Sequence, residues 1–378
     1  RPVGARSNAM NSYTFRGPCG DRERETNSRP SPVPGLFSQR TTLNSCDLSI
    51  PDAPASADRK PERASRISVL LAPLAGFCPG VARAIRIALE ARRDHPAARA
   101  CLLGSIVHNA AVNRTIAAAG IEILSLPSQA SALRPGDVAI VPAFGSPAGL
   151  AESLRAAGVA VSDATCPNVA AVFRRAEELG RAGATVFVCG DPAHEEVRST
   201  CSRIEASGGR ARLVRVPSEV VLPGPGPAAG PVGFLCQTTA CPTTVQRIAR
   251  VLRLAFPGRL FDFAKPCPAT EARQAALRSV LRAGADLAIV VGGRDSRNTA
   301  CLRALAARRV PAFHVESAAD LLDARLIRHV LRGRVRVSRG WLPEGSVRVA
   351  LTAGASTPDD VIAAVAERMR SLGEEGGS

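Results

Sequence analysis

The sequence predicts an α/β protein in which three pseudo-repeated lobes, each a small mostly parallel sheet with flanking helices, surround one centre. Two observations lead to this fold class. From Ile67 onward, short continuous apolar runs alternate with segments of helical period, and strands without a polar face belong inside parallel sheets that helices cover. In addition, the Cys-Pro dipeptides that begin at Cys78, Cys166 and Cys267 lie 88 and 101 residues apart. Each interval is about the length of one small α/β unit.

The first 65 residues differ from the rest of the chain. They are rich in Arg, Ser, Pro and Asn and have no sustained apolar period, so we expect a disordered N-terminal segment over residues 1–65. The remainder divides into lobe 1 at 66–160, lobe 2 at 161–260 and lobe 3 at 261–378. Because no sequence repeat links these blocks, the threefold plan follows from the cysteine spacing and the number of predicted elements.

Seven apolar runs predict the strands of the three sheets. In chain order they are Ile67–Ala72, Ala100–Leu103, Val138–Ala143, Thr185–Cys189, Val232–Cys236, Leu287–Val291 and Val347–Leu351. Segments of helical period predict helices over Val81–Arg93, Val169–Ala182, Thr243–Leu254, Glu271–Ala283 and Asp359–Leu372. Residues 332–347 contain three glycines and a proline between two apolar runs, which predicts a surface insertion.

The composition limits the classes of partner. The chain has 378 residues and a formal charge of +16, but its basic residues are nearly all arginine, and only Lys60 and Lys265 are lysine. This skew, with abundant Ala, Gly and Pro, is typical of GC-rich coding, and no nucleic-acid motif is present, so we expect a solvated basic surface and no nucleic acid. The longest apolar run, Ser68–Ala82, is interrupted by prolines and glycines and is too short for a membrane helix.

The chain contains eleven cysteines and no secretory apolar segment, which argues for a reducing compartment. Four of them fit ordinary buried thiols within or beside apolar runs. These four are Cys101, Cys189, Cys236 and Cys301.

The three Cys-Pro dipeptides each follow a predicted loop and begin a helix. Proline is favoured in the first helical turn, and a thiolate there lies beside the positive end of the helix dipole, which favours metal ligation. Three cysteines without a Cys-x-x-Cys pair are unlike a structural zinc site and fit a four-iron cluster with one iron not held by protein. The alternative is three unrelated cysteines that begin helices. Cys241-Pro242 shows that the dipeptide alone is not diagnostic.

Polar residues follow the predicted strands at the ends where ligands gather in a parallel sheet. They are His108, His194, Glu196, Gln237, Thr238, Thr239, Ser296, Asn298 and Ser356. Each alone is more often a helix cap or a loop hydrogen bonder. Together, small donors, two imidazoles and one carboxylate suit an anion such as a diphosphate, with Glu196 able to supply a proton.

At these residues the sequence resembles the LytB/IspH family of 4-hydroxy-3-methylbut-2-enyl diphosphate reductases. The resemblance runs from Ile67 to the C-terminus. It rests on ordered motifs: GFC-x-GV at Gly76–Val81, VHN at Val107–Asn109, DATCP at Asp163–Pro167, H-x-E-V at His194–Val197, QTT at Gln237–Thr239, C-x-AT-x-x-RQ at Cys267–Gln274 and TAGAS-x-PD at Thr352–Asp359.

The resemblance implies a 4Fe-4S iron–sulfur cluster as cofactor, with one metal ligand from each lobe at Cys78, Cys166 and Cys267. It implies an oxidoreductase that removes the hydroxyl of an allylic alcohol diphosphate and yields isopentenyl and dimethylallyl diphosphates, the last step of the methylerythritol phosphate (MEP) pathway of isoprenoid biosynthesis. It further implies a ferredoxin or flavodoxin electron donor and a cytoplasmic enzyme, in a bacterium or a plastid.

The implied roles fall on named residues. Glu196 is the implied proton donor, helped by Thr238. The implied diphosphate ligands are His108, His194, Ser296, Asn298 and Ser356.

Three positions depart from the family pattern. Phe144 stands where the family has a histidine, Glu271 where it usually has a second threonine, and Arg297 where it has a second serine. Arg297 is therefore a further candidate diphosphate ligand, through a bidentate contact.

The three departures at Phe144, Glu271 and Arg297 equally suit a second hypothesis, a related reductase that acts on another allylic or aryl hydroxyl compound. A non-catalytic iron–sulfur protein that senses redox state or binds a partner is the third hypothesis, which the presence of Glu196 and Thr238 disfavours.

Overall fold

The computed structural model describes residues 66–124, 129–220 and 230–375. All of them belong to one compact unit, Ser56–Ser378. The segment predicted to be disordered, 1–65, lies outside the described residues. Strands and helices alternate along the described chain, which confirms the predicted α/β class.

The strands include all seven that the sequence predicts, with ends that shift by one or two residues. They are β1 (Ile67–Leu71), β2 (Ala100–Leu103), β3 (Ile121–Leu124), β4 (Val138–Val141), β5 (Ala160–Asp163), β6 (Thr185–Cys189), β7 (Arg210–Val214), β8 (Val232–Cys236), β9 (Leu260–Asp262), β10 (Leu287–Val291), β11 (Ala312–Val315), β12 (Leu326–Leu331), β13 (Arg334–Arg339) and β14 (Val347–Ala353).

The α-helices include all five predicted ones. They are α1 (Pro79–Asp94), α2 (Ala110–Ala118), α3 (Leu150–Ala156), α4 (Pro167–Arg181), α5 (Glu195–Ala206), α6 (Pro242–Ala255), α7 (Pro268–Arg282), α8 (Arg297–Ala306) and α9 (Asp359–Glu375). Among the described residues, no helix combines the length and the apolar character that a bilayer span requires.

The described strands form three sheets, and the first two have the same topology. The first sheet has the order β3-β2-β4-β5 and the second the order β7-β6-β8-β9, with every pair parallel. The third sheet has the order β1-β14-β10-β11-β12-β13, parallel through β11 and antiparallel at β12 and β13. The predicted three small, mostly parallel sheets are therefore present.

Strand β1 belongs to the third sheet. It pairs in parallel with β14, from Ile67 opposite Val347 to Leu71 opposite Leu351, although the sequence puts it in the first block. The chain thus begins in the third sheet before it forms the first. The block boundaries themselves stay a prediction.

The segment predicted as a surface insertion, residues 332–347, contains β13. This strand forms a hairpin with β12 and lies at the edge of the third sheet. It carries exposed arginines and valines, which explains why its apolar content is too low to predict a buried strand.

The central strands are buried because they are apolar on both faces. Every residue of β10 and β8 is buried, and helices pack against both faces, as parallel sheets require. Helix α1 buries a stripe of small and branched residues, Val81, Ala84, Ile85 and Ala88, at the spacing of one helix face. Its alanines bring the helix close to β2 and β4.

The lobes approach closely at a few backbone contacts. Cys78 donates from its backbone N–H to the Ala355 carbonyl oxygen at 3.1 Å, which joins the start of α1 to the loop after β14. Gly293, after β10, lies against the first lobe, where a Cβ atom would overlap the His108 carbonyl oxygen. These contacts bring the carboxyl ends of the three sheets together.

Candidate active site

The carboxyl ends of the strands surround one cavity of about 780 Å³, including its open mouth. It is lined by the eleven residues that the sequence predicts as metal ligands, catalytic groups or diphosphate ligands. They are Cys78, His108, Cys166, His194, Glu196, Thr238, Cys267, Ser296, Arg297, Asn298 and Ser356. Residues that are up to 278 positions apart in sequence thus face a common space.

The three cysteines are each the residue that caps a helix. Cys78, Cys166 and Cys267 precede α1, α4 and α7, and each is followed by proline in the first turn. The Cys78 sulfur accepts the backbone N–H of Val81 at 3.4 Å. As predicted, the sulfurs lie at the positive ends of three helix dipoles.

The cysteines are close enough to influence one another. Burial raises the pKa of the Cys166 thiol, the N–H groups of Asn168 and Val169 lower it, and the nearby Cys78 and Cys267 sulfurs raise it again. Asn168 donates from Nδ2 to the Cys267 sulfur at 3.2 Å. A Cβ atom on Gly80 would lie only 2.6 Å from the Cys166 sulfur and 3.8 Å from the Cys78 sulfur.

A buried cation lies behind this group of sulfurs. The Arg273 side chain, only 3% exposed, donates to the Gly76 carbonyl oxygen and to the Ala269 carbonyl oxygen. Burial lowers the pKa of Arg273, whereas the nearby Cys78 and Cys267 sulfurs raise it. One arginine can offset only part of the negative charge of three thiolates, and a bound metal group would offset the rest. The donor set therefore fits an iron–sulfur cluster with three protein ligands.

Glu196 is fully buried and tied to Thr238. Its Oε1 accepts the Thr238 backbone N–H at 2.6 Å, and its Oε2 accepts the Thr238 hydroxyl at 2.9 Å. Burial raises the pKa of Glu196 to about 7, although both bonds from Thr238 lower it. A carboxyl group with this pKa holds a proton that it can release near neutral pH.

The two histidines are in contact. The rings of His108 and His194 have centroids 4.6 Å apart, and His194 Nδ1 accepts the Glu196 backbone N–H at 3.2 Å. Burial, with the adjacent His108, lowers the pKa of His194 to about 3. His194 is therefore neutral at physiological pH, and because Nδ1 is an acceptor, its N–H is at Nε2.

Phe144 completes an aromatic group with these histidines. Its ring stacks on His108 at 5.4 Å between centroids with an interplanar angle of 16°, and meets the edge of His194 at 5.9 Å. Phe144 follows β4 and is 6% exposed. The ring makes this wall of the cavity apolar, at the position where the resemblance implies a histidine.

The start of α8 forms the opposite, polar wall. Ser296 caps this helix and accepts the Thr299 backbone N–H at 3.3 Å. Asn298 is 3% exposed, yet neither its side-chain nitrogen nor its side-chain oxygen has a partner among the described residues. An unpaired buried amide is costly, so a polar ligand in the cavity would satisfy it.

Arg297 lies between this cavity and a second opening. Its Nε is 3.7 Å from an Asp191 carboxylate oxygen, and its side chain is 50% exposed. The second opening, which we call the vestibule, shares His108, His194, Ser296 and Arg297 with the cavity. Its other lining residues include Arg294, Arg303 and the turn at Arg332 and Gly333.

Several residues of the cavity were not predicted from the sequence. Asn168 and Thr270 line it, and Arg273 lies behind the cysteines. Of the two other polar residues that the sequence predicts after β8, Thr239 lines the cavity and Gln237 does not. Arg273 and Thr270 are within a motif that carries the family resemblance, which was the available signal. Glu271, by contrast, is exposed on α7 and does not line the cavity.

A second set of metal donors lies at the edge of the cavity. Ligand atoms of His108, His194 and Glu195 are within 4.8 Å of one another. The Glu195 carboxylate is 3.8 Å from His108 Nε2. These groups can hold a cation, or, without Glu195, donate to an anion.

The family model described as LytB protein matches residues 69–370 of this chain. A 4-hydroxy-3-methylbut-2-enyl diphosphate reductase of Thermosynechococcus vestitus is 30% identical, over 81% of this chain and 85% of that protein. The reductase of the same name from Gloeobacter violaceus is 32% identical, over 83% of this chain and 86% of that protein.

Solved structures of similarly named enzymes have a similar fold. An (E)-4-hydroxy-3-methyl-but-2-enyl diphosphate reductase, described as the terminal enzyme of the non-mevalonate pathway, is 28% identical with a TM-score of 0.55, over 80% of this chain and 99% of that one. An E-1-hydroxy-2-methyl-but-2-enyl-4-diphosphate reductase from Plasmodium falciparum is 23% identical with a TM-score of 0.66, over 80% and 87%. The second likeness supports the fold alone.

Proposed function

The chain belongs to the LytB family, and from this premise we propose that it is an oxidoreductase that converts 4-hydroxy-3-methylbut-2-enyl diphosphate to isopentenyl and dimethylallyl diphosphates. The relatives that carry this name match more than four-fifths of the chain. The observation that carries the proposal is the position of Glu196 and Thr238 in the same cavity as Cys78, Cys166 and Cys267.

The cofactor follows from the three cysteines. We propose that Cys78, Cys166 and Cys267 hold a 4Fe-4S cluster with one iron free of protein ligands. Such a cluster, when bound, supplies electrons one at a time and a Lewis acid for the substrate oxygen. The Arg273 charge offsets part of the negative charge of the thiolates, and Asn168 donates a hydrogen bond to the Cys267 sulfur.

The diphosphate binds at the polar wall. Asn298 brings an amide without a partner among the described residues, Ser296 and Ser356 bring hydroxyls, and Arg297 brings a charge at the rim. His194, neutral at physiological pH, donates from Nε2 rather than acting as a cation. These contacts fix the allylic end of the substrate beside the cysteines, so that binding energy from the diphosphate is used for orientation.

Glu196 supplies the proton. Loss of the hydroxyl as water takes up two electrons and two protons, and Glu196 gives one of those protons to the departing oxygen. Thr238 holds both carboxyl oxygens and so fixes the direction of the transfer. Burial keeps the carboxyl protonated up to a pH of about 7, where an unburied glutamic acid has already lost its proton.

Turnover by the reconstituted protein tests the function. The full chain, loaded with iron and sulfide under anaerobic conditions, is given the hydroxybutenyl diphosphate and methyl viologen as a one-electron donor. We expect both isoprenyl diphosphates as products. A protein with an intact cluster spectrum that forms neither product would contradict the proposal.

A second candidate is a reductase of a different allylic or aryl alcohol. Phe144 favours it, because the ring stacked on His108 removes a hydrogen-bond donor from the cavity and adds a flat apolar surface. An aromatic or longer allylic substrate would pack on that surface.

Replacing Phe144 by histidine separates the two candidates. If the diphosphate lies at this wall, Phe144→His adds one hydrogen bond to a charged group, worth about 1.5–3 kcal/mol. We expect the KM for the diphosphate substrate to fall by a factor of roughly 10 to 100. Phe144→Leu, which removes the ring without adding a donor, is the control. Equal KM values for the two variants would favour the second candidate.

The electron donor is proposed to be an acidic ferredoxin or flavodoxin. The hairpin of β12 and β13 carries exposed arginines at Arg332, Arg334, Arg336 and Arg339. A further arginine of this hairpin, Arg328, forms an ion pair with Asp320. The turn of the hairpin lines the vestibule, next to His108 and Arg297. A basic surface at the rim of the site steers an acidic donor to it.

The double variant Arg334→Gln, Arg336→Gln tests this docking surface. At low salt we expect the turnover rate with a limiting acidic ferredoxin to fall roughly ten-fold, because the on-rate loses its electrostatic steering. The rate with methyl viologen stays unchanged. The double variant Arg247→Gln, Arg250→Gln on the exposed face of α6 removes the same charge elsewhere. If both double variants slow the ferredoxin reaction equally, the hairpin is not the docking surface.

A further inference from the structure

The Asn168 side chain contacts one of the three proposed cluster ligands. Its Nδ2 donates to the Cys267 sulfur at 3.2 Å, although the two residues are 99 positions apart in sequence. Asn168 lies in the first turn of α4, two residues after Cys166. One amide thus joins the segment that carries the second cysteine to the sulfur of the third.

The position of Asn168 in its helix does not by itself call for this contact. An asparagine near a helix start commonly caps its own backbone. Here Cys166 occupies the cap position of α4, and the Asn168 amide reaches a sulfur of another segment instead.

The proposed ligands differ in their hydrogen-bond donors. The Cys78 sulfur accepts the Val81 backbone N–H at 3.4 Å, within the start of its own helix. Cys267 also occupies a cap position, but in the described part of the chain its side chain makes no cap hydrogen bond with α7. Asn168 supplies a donor that α7 does not.

The chemistry of the sulfur fixes the direction of the hydrogen bond. A thiolate that ligates a metal has no proton and can only accept, so the amide nitrogen faces it rather than the amide oxygen. A bond to an ionised acceptor is about twice as strong as a bond between neutral groups. Asn168 therefore directs the positive end of an N–H dipole at Cys267.

Such a donor affects the energy of an added electron. Reduction makes an iron–sulfur cluster more negative, and part of the added charge reaches the ligand sulfurs. A hydrogen bond to a sulfur therefore stabilises the reduced form more than the oxidised form and raises the reduction potential. Asn168 is exposed on the wall of the cavity, so a substrate that displaces water there would strengthen the bond.

We propose that Asn168 is a positioning residue that raises the reduction potential of the cluster through its hydrogen bond to Cys267. The inference rests on the 4Fe-4S cluster proposed above. It assigns a role to a side chain that the sequence did not single out. With a higher potential, the cluster is reduced more completely by a one-electron donor of given strength.

A redox titration of the cluster-loaded full chain tests the proposal. Dithionite is added stepwise with mediator dyes under anaerobic conditions, and the electron paramagnetic resonance signal measures the reduced cluster. Asn168→Leu has nearly the same size and no donor. We expect it to lower the equilibrium constant for one-electron reduction roughly ten-fold, a shift of about 59 mV to a more negative potential.

Ala171→Leu is the matched control. It places the same side chain at an exposed position of α4 that does not line the cavity, and its potential should equal that of the unaltered protein. An unchanged potential in Asn168→Leu would overturn the proposal. Only loaded protein gives the signal, so partial loss of iron does not distort the measured potential.

Asn168→Asp separates an electrostatic role from a structural one. Aspartate keeps the shape of asparagine but replaces the donor by a carboxylate oxygen, so we expect a potential more negative than that of Asn168→Leu. If Asn168 only fills space, Asn168→Asp would keep the native potential, and the proposal would be wrong. This variant decides the question if Asn168→Leu binds no cluster. Iron and sulfide analysis of the unaltered protein tests the cluster separately, so its absence is distinguished from a missing potential shift.

Discussion

Glu196→Gln is expected to lower turnover by roughly 10²–10⁴-fold, the usual contribution of general acid catalysis. Glutamine keeps the size of the side chain and its oxygen still accepts the Thr238 backbone N–H, but it cannot release a proton to the substrate. Cluster content and substrate affinity stay close to those of the unaltered protein. The measurement is steady-state turnover with methyl viologen, alongside the visible spectrum of the cluster.

The pH dependence has a definite sign. Burial raises the pKa of Glu196 to about 7, so the acid form that donates the proton dominates below that pH. The turnover rate of the unaltered protein should fall as the pH rises through about 7. The residual rate of Glu196→Gln should not change over this pH range. Glu205→Gln, an exposed position on the same helix, is the control. Full activity of Glu196→Gln would exclude Glu196 as the proton source.

Cys166→Ala is expected to abolish cluster binding and all turnover. It removes one of three ligands that come from three separate helix starts, and the two remaining sulfurs leave two irons without protein ligands. Iron and acid-labile sulfide analysis after anaerobic reconstitution measures the loss. Cys201→Ala, which removes a half-buried thiol on α5, should bind a full cluster. A full cluster in Cys166→Ala would show that Cys166 is not a ligand.

Gly80→Ala tests the same site without removing a ligand. Its Cβ would lie 2.6 Å from the Cys166 sulfur, so the sulfur must move. Alanine otherwise favours a helix over glycine by about 1 kcal/mol, so the melting temperature of the cluster-free protein should not fall. We expect a lower iron content in a protein that is folded at least as well. Unchanged iron content would show that the sulfur moves freely.

Much of the fold follows from local sequence. β8 and β10 are predicted because they are apolar throughout, and α1 and α4 because a Cys-Pro dipeptide precedes a stripe of apolar residues. Each of these sequence signals lies within a short run of neighbouring residues. β13 was missed because it is an exposed edge strand, in which arginine alternates with valine.

The pairing of β1 with β14, by contrast, does not follow from local sequence. The two strands are 276 residues apart when counted from Leu71 to Val347, and nothing in either one identifies its partner. Both are apolar strands that suit any parallel sheet. The sequence therefore put β1 in the first block, although it completes the third sheet.

The candidate site was likewise predicted in part from local sequence and in part only from the tertiary structure. The sequence by itself determined which residues are there, because each cysteine, Glu196 and Ser296 lies at a strand exit or a helix start that the local pattern marks. Only the tertiary structure decided which of these residues contact one another. The contacts of His108 with His194, Asn168 with Cys267 and Arg273 with Gly76 join segments that are far apart in the chain. Such contacts depend on how the lobes pack, which no local pattern of side chains encodes.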